Sequence, residues 1–458
     1  MNLAKPKCWV IDDYPERNHV PACTKIARLR GLEVESCPAE GAILPSLVPA
    51  RNQLIAVDFE ALARMTPGMS QRLREWAQQG ATIYVRGSLR EGCVYYLMPF
   101  SNQRFEFKLR PSDGYEFSRH WMLPAAIAGE RVAAPMKMPH AAGLDPEIRT
   151  LMSGTDACGG SWPIIFEISI GAGVVIFDLH ADDDNRGGEL LAELEVPTTR
   201  GASIGALAAV DWAAGRDPDT RAAINLVIDD RPVNFDYFSL GKLKEFLDYL
   251  TIQPTDIHVD FAWTPNCTRP DRRYVELLRR HNTGFVWHGF LRHVDHRMIA
   301  DCEAELQAGI ARVDSISRAY NVRFQPVMIF PFEKETPRAR DLLRRTEFVA
   351  TVLCDSGINQ TPNFYRLRLL QDERSMHSSL SIMFRDAAEN LSRDRMLALA
   401  TLGMPIIALA HPSNLALRRF ARRDSAAATY FDPVLKFAAE KSLRSLSLEE
   451  IAAEVPCD

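Results

Sequence analysis

The chain has 458 residues, 47% of them hydrophobic and 25% charged, with a formal net charge of −5. One hydrophobic core usually serves no more than about 250 to 300 residues, so two domains are expected, each with a sizeable interior. The composition excludes a disordered or collagen-like chain, and the acidic balance speaks against a surface built to displace counterions from nucleic acid.

In the first half, KCWVIDD (7–13), LEVESC (32–37), QLIAVDF (53–59) and ATIYVRG (81–87) are short apolar runs that predict strands. Between them, CTKIARLRG (23–31) and MSQRLREWAQQG (69–80) carry helical spacing, and each stops at a glycine suited to a helix C-cap. Alternating strand and helix predicts an α/β domain with a doubly wound parallel sheet, flavodoxin-like in outline. IIFEISIGAGVVIFDLH (164–180) alternates about a Gly-Ala-Gly turn and reads as an antiparallel hairpin. The helix SIGALAAVDWAAG (203–215) ends this domain, taken as 1–215, and RDPDT (216–220) reads as a linker.

The pattern then restarts over 222–458. AINLVIDD (223–230) and DIHVDFAW (256–263) are strands, with the helix SLGKLKEFLDYL (239–250) between them presenting Leu240, Leu243, Phe246, Leu247 and Leu250 on one face. PDRRYVELLRRHN (270–282) is a helix whose end Gly284 marks, before the strand FVWHG (285–289). A long helix over 298–320 has Ile299, Cys302, Leu306, Ile310, Val313 and Ile316 as its apolar stripe. QPVMIF (325–330), EFVATVLC (347–354) and MPIIALA (404–410) supply later strands, and the basic LRRFARR (417–423) reads as a solvated helix face. Repeated strand and helix predicts a parallel barrel with its chemistry at the strand C-termini.

Nine cysteines, with no Cys-x-x-Cys pair, predict reduced thiols. MNLAKPKCWVIDD runs into a strand without the apolar stretch of a secretion signal, and no window approaches a membrane span. A cytoplasmic location is the expectation.

Several predicted strands of the second half end in groups able to work together: Asp229 and Asp230, then His288, then His411 in IALAHPSN. WHGFLRHVDH (287–296) adds His293 and His296. Two imidazoles and one carboxylate make an open three-ligand site for zinc or a similar divalent ion. A second carboxylate next door can take a proton from water, and a histidine opposite can protonate a leaving group.

This constellation resembles the polysaccharide deacetylases, metal-dependent carbohydrate esterases on a distorted (β/α) barrel. The likeness covers about half the chain and implies Asp229 as general base, Asp230 as metal ligand, His288 with His293 as further ligands, and His411 as general acid. His288 and His293 are separated by four residues where that family usually has three, so Gly289 must help turn the backbone, and His296 stays open as the alternative ligand. The arginine that orients the base in that family has no counterpart before Pro331 in IFPFEKETPR, which leaves Glu333, Lys334 or Arg338 as substitutes. Trp263 and Trp287 are candidates to line the same mouth.

A second adjacent pair, Asp12 and Asp13 in VIDDYP, has no histidine cluster in its domain. With Asp58, Ser88 and Lys108 it resembles the acidic pocket of response-regulator receiver domains. The hairpin at the domain's end resembles instead class I glutamine amidotransferase-like domains, but the nucleophile's place in YVRGSLREG holds Ser88 and no cysteine. The first domain is therefore read as a non-catalytic amidotransferase-like module.

The expectation is a metal-dependent deacetylase-like hydrolase acting on an acylated amino sugar or glycan precursor. Zinc is the first choice of metal; nickel, cobalt and manganese are chemically compatible. The alternative is a degenerate carbohydrate- or partner-binding protein of the same fold. No nucleic-acid partner is expected, and homo-oligomerisation stays open.

Overall fold

The computed structural model describes residues 7–12, 21–38, 53–87, 89–144, 148–180, 190–217, 222–229, 239–253, 256–266, 271–333, 335–354, 380–412 and 426–454. The chain divides into two compact units, Met1–Thr220 and Arg221–Asp458. No helix among the described residues is long and apolar enough to cross a membrane.

The first unit is built on one mixed sheet. Its strands are β1 (Lys7–Asp12), β2 (Glu33–Pro38), β3 (Gln53–Asp58), β4 (Thr82–Arg86), β5 (Val94–Tyr96), β6 (Arg104–Phe117), β7 (Arg131–Ala142), β8 (Arg149–Thr155), β9 (Ser161–Ile170) and β10 (Gly173–Asp178). They lie in the order β2-β1-β3-β4-β10-β9-β8-β6-β5, with β7 also on β6. β2, β1, β3, β4 and β10 are parallel, and β9 and β10 form the expected hairpin. Alternation divides the parallel strands between two buried faces. Ile55, Val57, Ile83, Val85, Val175 and Phe177 share a core with Leu73, Trp76 and Ala77 of the helix Pro67–Gln79. Leu54, Ala56, Tyr84, Val174 and Ile176 are buried on the other face, where the helix Pro197–Ala213 brings Gly205 against Asp178. The helix Pro67–Gln79 starts at Thr66, whose Oγ1 accepts from the Met69 amide, and stops at Gly80 in the left-handed region at φ 114°.

The doubly wound outline describes only the parallel part. β6, β7 and β8 continue the sheet antiparallel, and residues 108–111 of β6 are exposed on successive positions. A strand solvated on both faces carries no apolar alternation by which to find it.

In the second unit seven parallel strands close into a barrel: β11 (Ala223–Ile228), β12 (Val259–Trp263), β13 (Thr283–His288), β14 (Phe324–Ile329), β15 (Ala350–Cys354), β16 (Ser381–Ala387) and β17 (Ile406–Ala410). β17 returns to β11, which pairs with β12, and the short β18 (Arg444–Ser445) adds to β11. Alternate residues point inward, so Val227, Ala262, Val286, Val327, Val352, Met383 and Ile407 fill the interior, joined by Leu448, Ile451 and Ala452 of the helix Leu448–Glu454. This is the parallel barrel that repeated strand and helix predicted for the second half.

At the N-terminal end the same inward positions are polar. Asp260, fully buried, accepts from Asn225 Nδ2 at 2.9 Å, from the Leu448 amide at 2.9 Å, from His258 Nε2 at 3.1 Å and from Gln325 Nε2. Gly284 belongs to this layer and does not end a helix: the preceding helix is Arg272–Leu278, and a Cβ on Gly284 would lie 2.1 Å from Asp260 Oδ1.

Candidate active site

At the C-terminal end, alternation puts Asp229 two residues beyond inward Val227, His288 two beyond Val286, Arg385 two beyond Met383, and His411 two beyond Leu409, which is in register with Val227. The Asp229 amide donates to the Ala410 carbonyl at 2.9 Å, tying the end of β11 to that of β17. Asp229 Oδ2 meets Arg385 Nη2 at 2.7 Å, with the side chains only 3% and 0% exposed. His288 Nδ1 lies 3.9 Å from Asp229 Oδ1. His411 is half-buried just past β17.

The chain then turns at Gly289, with φ 82° and its amide donating to Ile329 O at 2.9 Å; a Cβ there would lie 2.7 Å from Arg292 O. This turn folds His293 back onto His288, ring centroids 4.8 Å apart, and the half-exposed ring of Phe332 also lies 4.8 Å from His293. Phe332 itself holds a left-handed φ of 56°. His296 goes elsewhere. It is 1% exposed, edge-on to Phe290 at 4.5 Å and Phe330 at 4.6 Å, and neither ring nitrogen has a hydrogen-bond partner among the described residues. Burial in that aromatic slot pushes its pKa down to about 4, against the pull of Glu305 and Asp295.

Three expectations need correction or fall outside the description. The cation beside Asp229 is Arg385, from a strand the sequence pattern did not show, whereas Arg338 is exposed on the helix Pro337–Leu343. The Glu333 side chain, Lys334 and the basic stretch 417–423 lie outside the described residues, as does Asp230. Trp263 and Trp287 point out of the barrel wall: Trp263 packs on Phe285 and Phe324, and Trp287 on Phe324 and Phe348.

In the first unit Asp58 Oδ1 caps the helix Phe59–Arg64 by accepting from the Glu60 amide at 2.6 Å. Lys108 is 47% exposed and pairs with Glu106 on its own strand. Asp13, Ser88 and the Asp12 side chain lie outside the described residues. The strongest polar cluster in this unit is one that sequence reading missed. Asp178, fully buried, accepts from Tyr84 Oη at 2.8 Å, bonds His180 Nδ1 at 2.7 Å and has Arg86 Nη1 at 3.8 Å. Burial alone would raise its pKa, but His180 and Arg86 outweigh burial and hold the carboxyl below its ordinary value.

A metal implied by the deacetylase resemblance is met in part by this donor set. Two imidazoles lie against each other beside a carboxylate, while the third expected ligand, Asp230, is not described. Among the described residues no three His, Cys, Asp or Glu side chains form a group able to hold a metal.

No protein-family model matches the chain, and no curated protein matches it. Solved structures do. A protein of Mycobacterium smegmatis assigned to the polysaccharide deacetylases is 14% identical at a TM-score of 0.38, over 52% of this chain and 91% of that one. The chitin deacetylase of Colletotrichum lindemuthianum is 13% identical at 0.33, over 52% and 90%. A β-galactosidase from Bacillus circulans sp. alkalophilus is 14% identical at 0.27 over 46% of this chain, which spans only 31% of that enzyme. At such scores the chemistry has to be argued from the chain's own residues.

Proposed function

We propose that the barrel unit is a metal-dependent deacetylase-like hydrolase that removes an acyl group from an acylated amino sugar or glycan precursor. The observation that carries this reading is the buried Arg385–Asp229 pair at the C-terminal mouth of the barrel, with His288 beside it. A guanidinium 2.7 Å from one carboxylate oxygen favours the ionised form and fixes the plane of the group. Asp229 is then a proton acceptor aimed into the mouth, the task of a general base towards water. His411, just past the strand next to β11, would hand a proton to a departing amine. Asp230, His288 and His293 would hold a divalent ion, zinc first, which supplies polarisation of the scissile carbonyl. His293 is preferred to His296 because its ring lies on that of His288, whereas His296 is enclosed between two phenylalanines.

A rival reading, a binding protein without turnover, would be favoured by a base with no arginine beside it, whereas Arg385 Nη2 lies 2.7 Å from Asp229 Oδ2. For the first unit a non-catalytic amidotransferase-like module is kept as a proposal; against a receiver-like pocket, Asp58 uses its carboxylate to cap a helix.

The test is metal content by elemental mass spectrometry, together with amine release from N-acetylglucosamine oligomers. About one metal per chain is expected, lost in Asp230→Ala and His288→Ala, while Asp229→Asn keeps the metal and loses amine release. A wild type that stays metal-free after incubation with divalent ions would overturn the mechanism.

A further inference from the structure

Among the described residues of the barrel mouth, Thr264 is a polar group to which neither the resemblance nor the mechanism gives work. Thr264 follows the last residue of β12, the strand between β11, which carries Asp229, and β13, which carries His288. Trp263 is in register with Trp287, so Thr264 comes abreast of His288 and continues the inward alternation of Ala262. The residue is 2% exposed, and its Oγ1 has no hydrogen-bond partner among the described residues. Two residues on, the Asn266 amide donates to Leu291 O at 2.8 Å, which ties this stretch to the turn carrying His293.

A buried hydroxyl left unpaired is a net destabilisation, one that valine, of nearly the same shape, would not carry. A threonine at such a place is accounted for by a partner that arrives from outside. Thr24, Thr82 and Thr351 also bury hydroxyls with no partner among the described residues, but the first two belong to the other unit, and Thr351 faces away from inward Ala350 and Val352. Within the mouth the other groups have fixed characters: Asp229 is an acceptor locked by Arg385, and the imidazoles of His288 and His293 go to the cation in the proposed mechanism. A hydroxyl is both donor and acceptor and carries no charge, which matches the hydroxyl of a sugar ring.

We propose that Thr264 Oγ1 is a substrate-contacting group that hydrogen-bonds a sugar hydroxyl of the ligand held over Asp229; this rests on the hydrolase reading for the kind of ligand. The contact would orient the sugar so that its acyl group meets the base.

The experiment compares Thr264→Val and Thr264→Ser with the wild type, using tetra-N-acetylchitotetraose as probe. Unfolding temperature, amine release and, in the Asp229→Asn background, calorimetric binding are measured on the full chain. Thr264→Val should unfold no lower than the wild type, while kcat/KM and tetramer binding fall roughly tenfold or more, and Thr264→Ser should restore most of both. A drop in unfolding temperature in the valine variant that serine repairs would overturn the proposal, because the hydroxyl would then serve the fold. Equal kcat/KM in wild type and valine variant would also overturn it. If the wild type releases no amine, the hydrolase reading fails and Thr264 is decided by binding alone: loss of tetramer binding in the valine variant sustains it, and no difference, or no binding by the Asp229→Asn parent, overturns it.

Discussion

Asp229 and Arg385 are so far removed from water that each depends on the other. Breaking a buried pair from one side leaves an uncompensated charge, typically a loss of about 3 to 5 kcal/mol. Arg385→Met should therefore lower stability by about 3 kcal/mol in urea unfolding, and Asp229→Asn with Arg385→Met together should cost less than the sum of the two. Strict additivity would mean that the pair is not coupled. His296 makes the opposite case of a buried polar group that prefers to be neutral. Its folded pKa of about 4 lies below the ordinary 6.5, so the unfolded chain binds the proton first as pH falls. The stability that follows from neutral His296 is whole above about pH 6.5 and is lost as pH drops towards 4. His296→Phe should keep the metal and reduce the acid sensitivity of the melting temperature over that window. Loss of metal in this variant would make His296 a ligand after all.

Strands and helices of the barrel meet in the polar layer around Asp260, which joins β11, β12 and β14 to the helix Leu448–Glu454. Because Gly284 leaves room for the Asp260 carboxylate and the Gln325 amide, Gly284→Ala forces that layer apart. Loss of about 2 kcal/mol or more is expected, together with faster proteolysis of the last helix; wild-type stability would show that the layer can shift at little cost. His258 adds a pH dependence of the other sign. Burial lowers its pKa, but hydrogen bonding to Asp260, the charge of Asp260 and the bond to Asn282 prevail, and the net value is raised above 6.5. Its contribution is full below pH 6.5 and is lost as pH rises through the folded value, so His258→Gln should flatten the alkaline side of the stability curve. Among the elements that sequence reading missed, β16 was missed for a related reason. SIMFRDA places Arg385 and Asp386 in a buried strand, and those charges hide its apolar run until their partners, Asp229 and Arg395, are known.

On the scale of the molecule, each unit has its own core: one cluster runs from Trp9 to Leu179, the other from Ala223 to Ala452. The stretch 221–458, expressed alone, should therefore unfold in one cooperative transition and carry the metal stoichiometry of the full chain; a molten or metal-free fragment would show that the barrel needs the first unit. The sequence by itself determined the strands with apolar runs, the helix C-cap at Gly80, the need for a turn at Gly289, and the acidic and histidine strand ends of the barrel. These are local properties, set by side-chain period, backbone freedom and capping chemistry within a few residues. Tertiary structure alone decided that Arg385 meets Asp229, that His293 lies on His288 while His296 is walled in by phenylalanines, that Gly284 makes room for a carboxylate, and that Thr264 is buried with no hydrogen-bond partner among the described residues. Each of these depends on which strands become neighbours when the barrel closes, and an ion pair between residues 229 and 385 has no period along the chain by which it could be read.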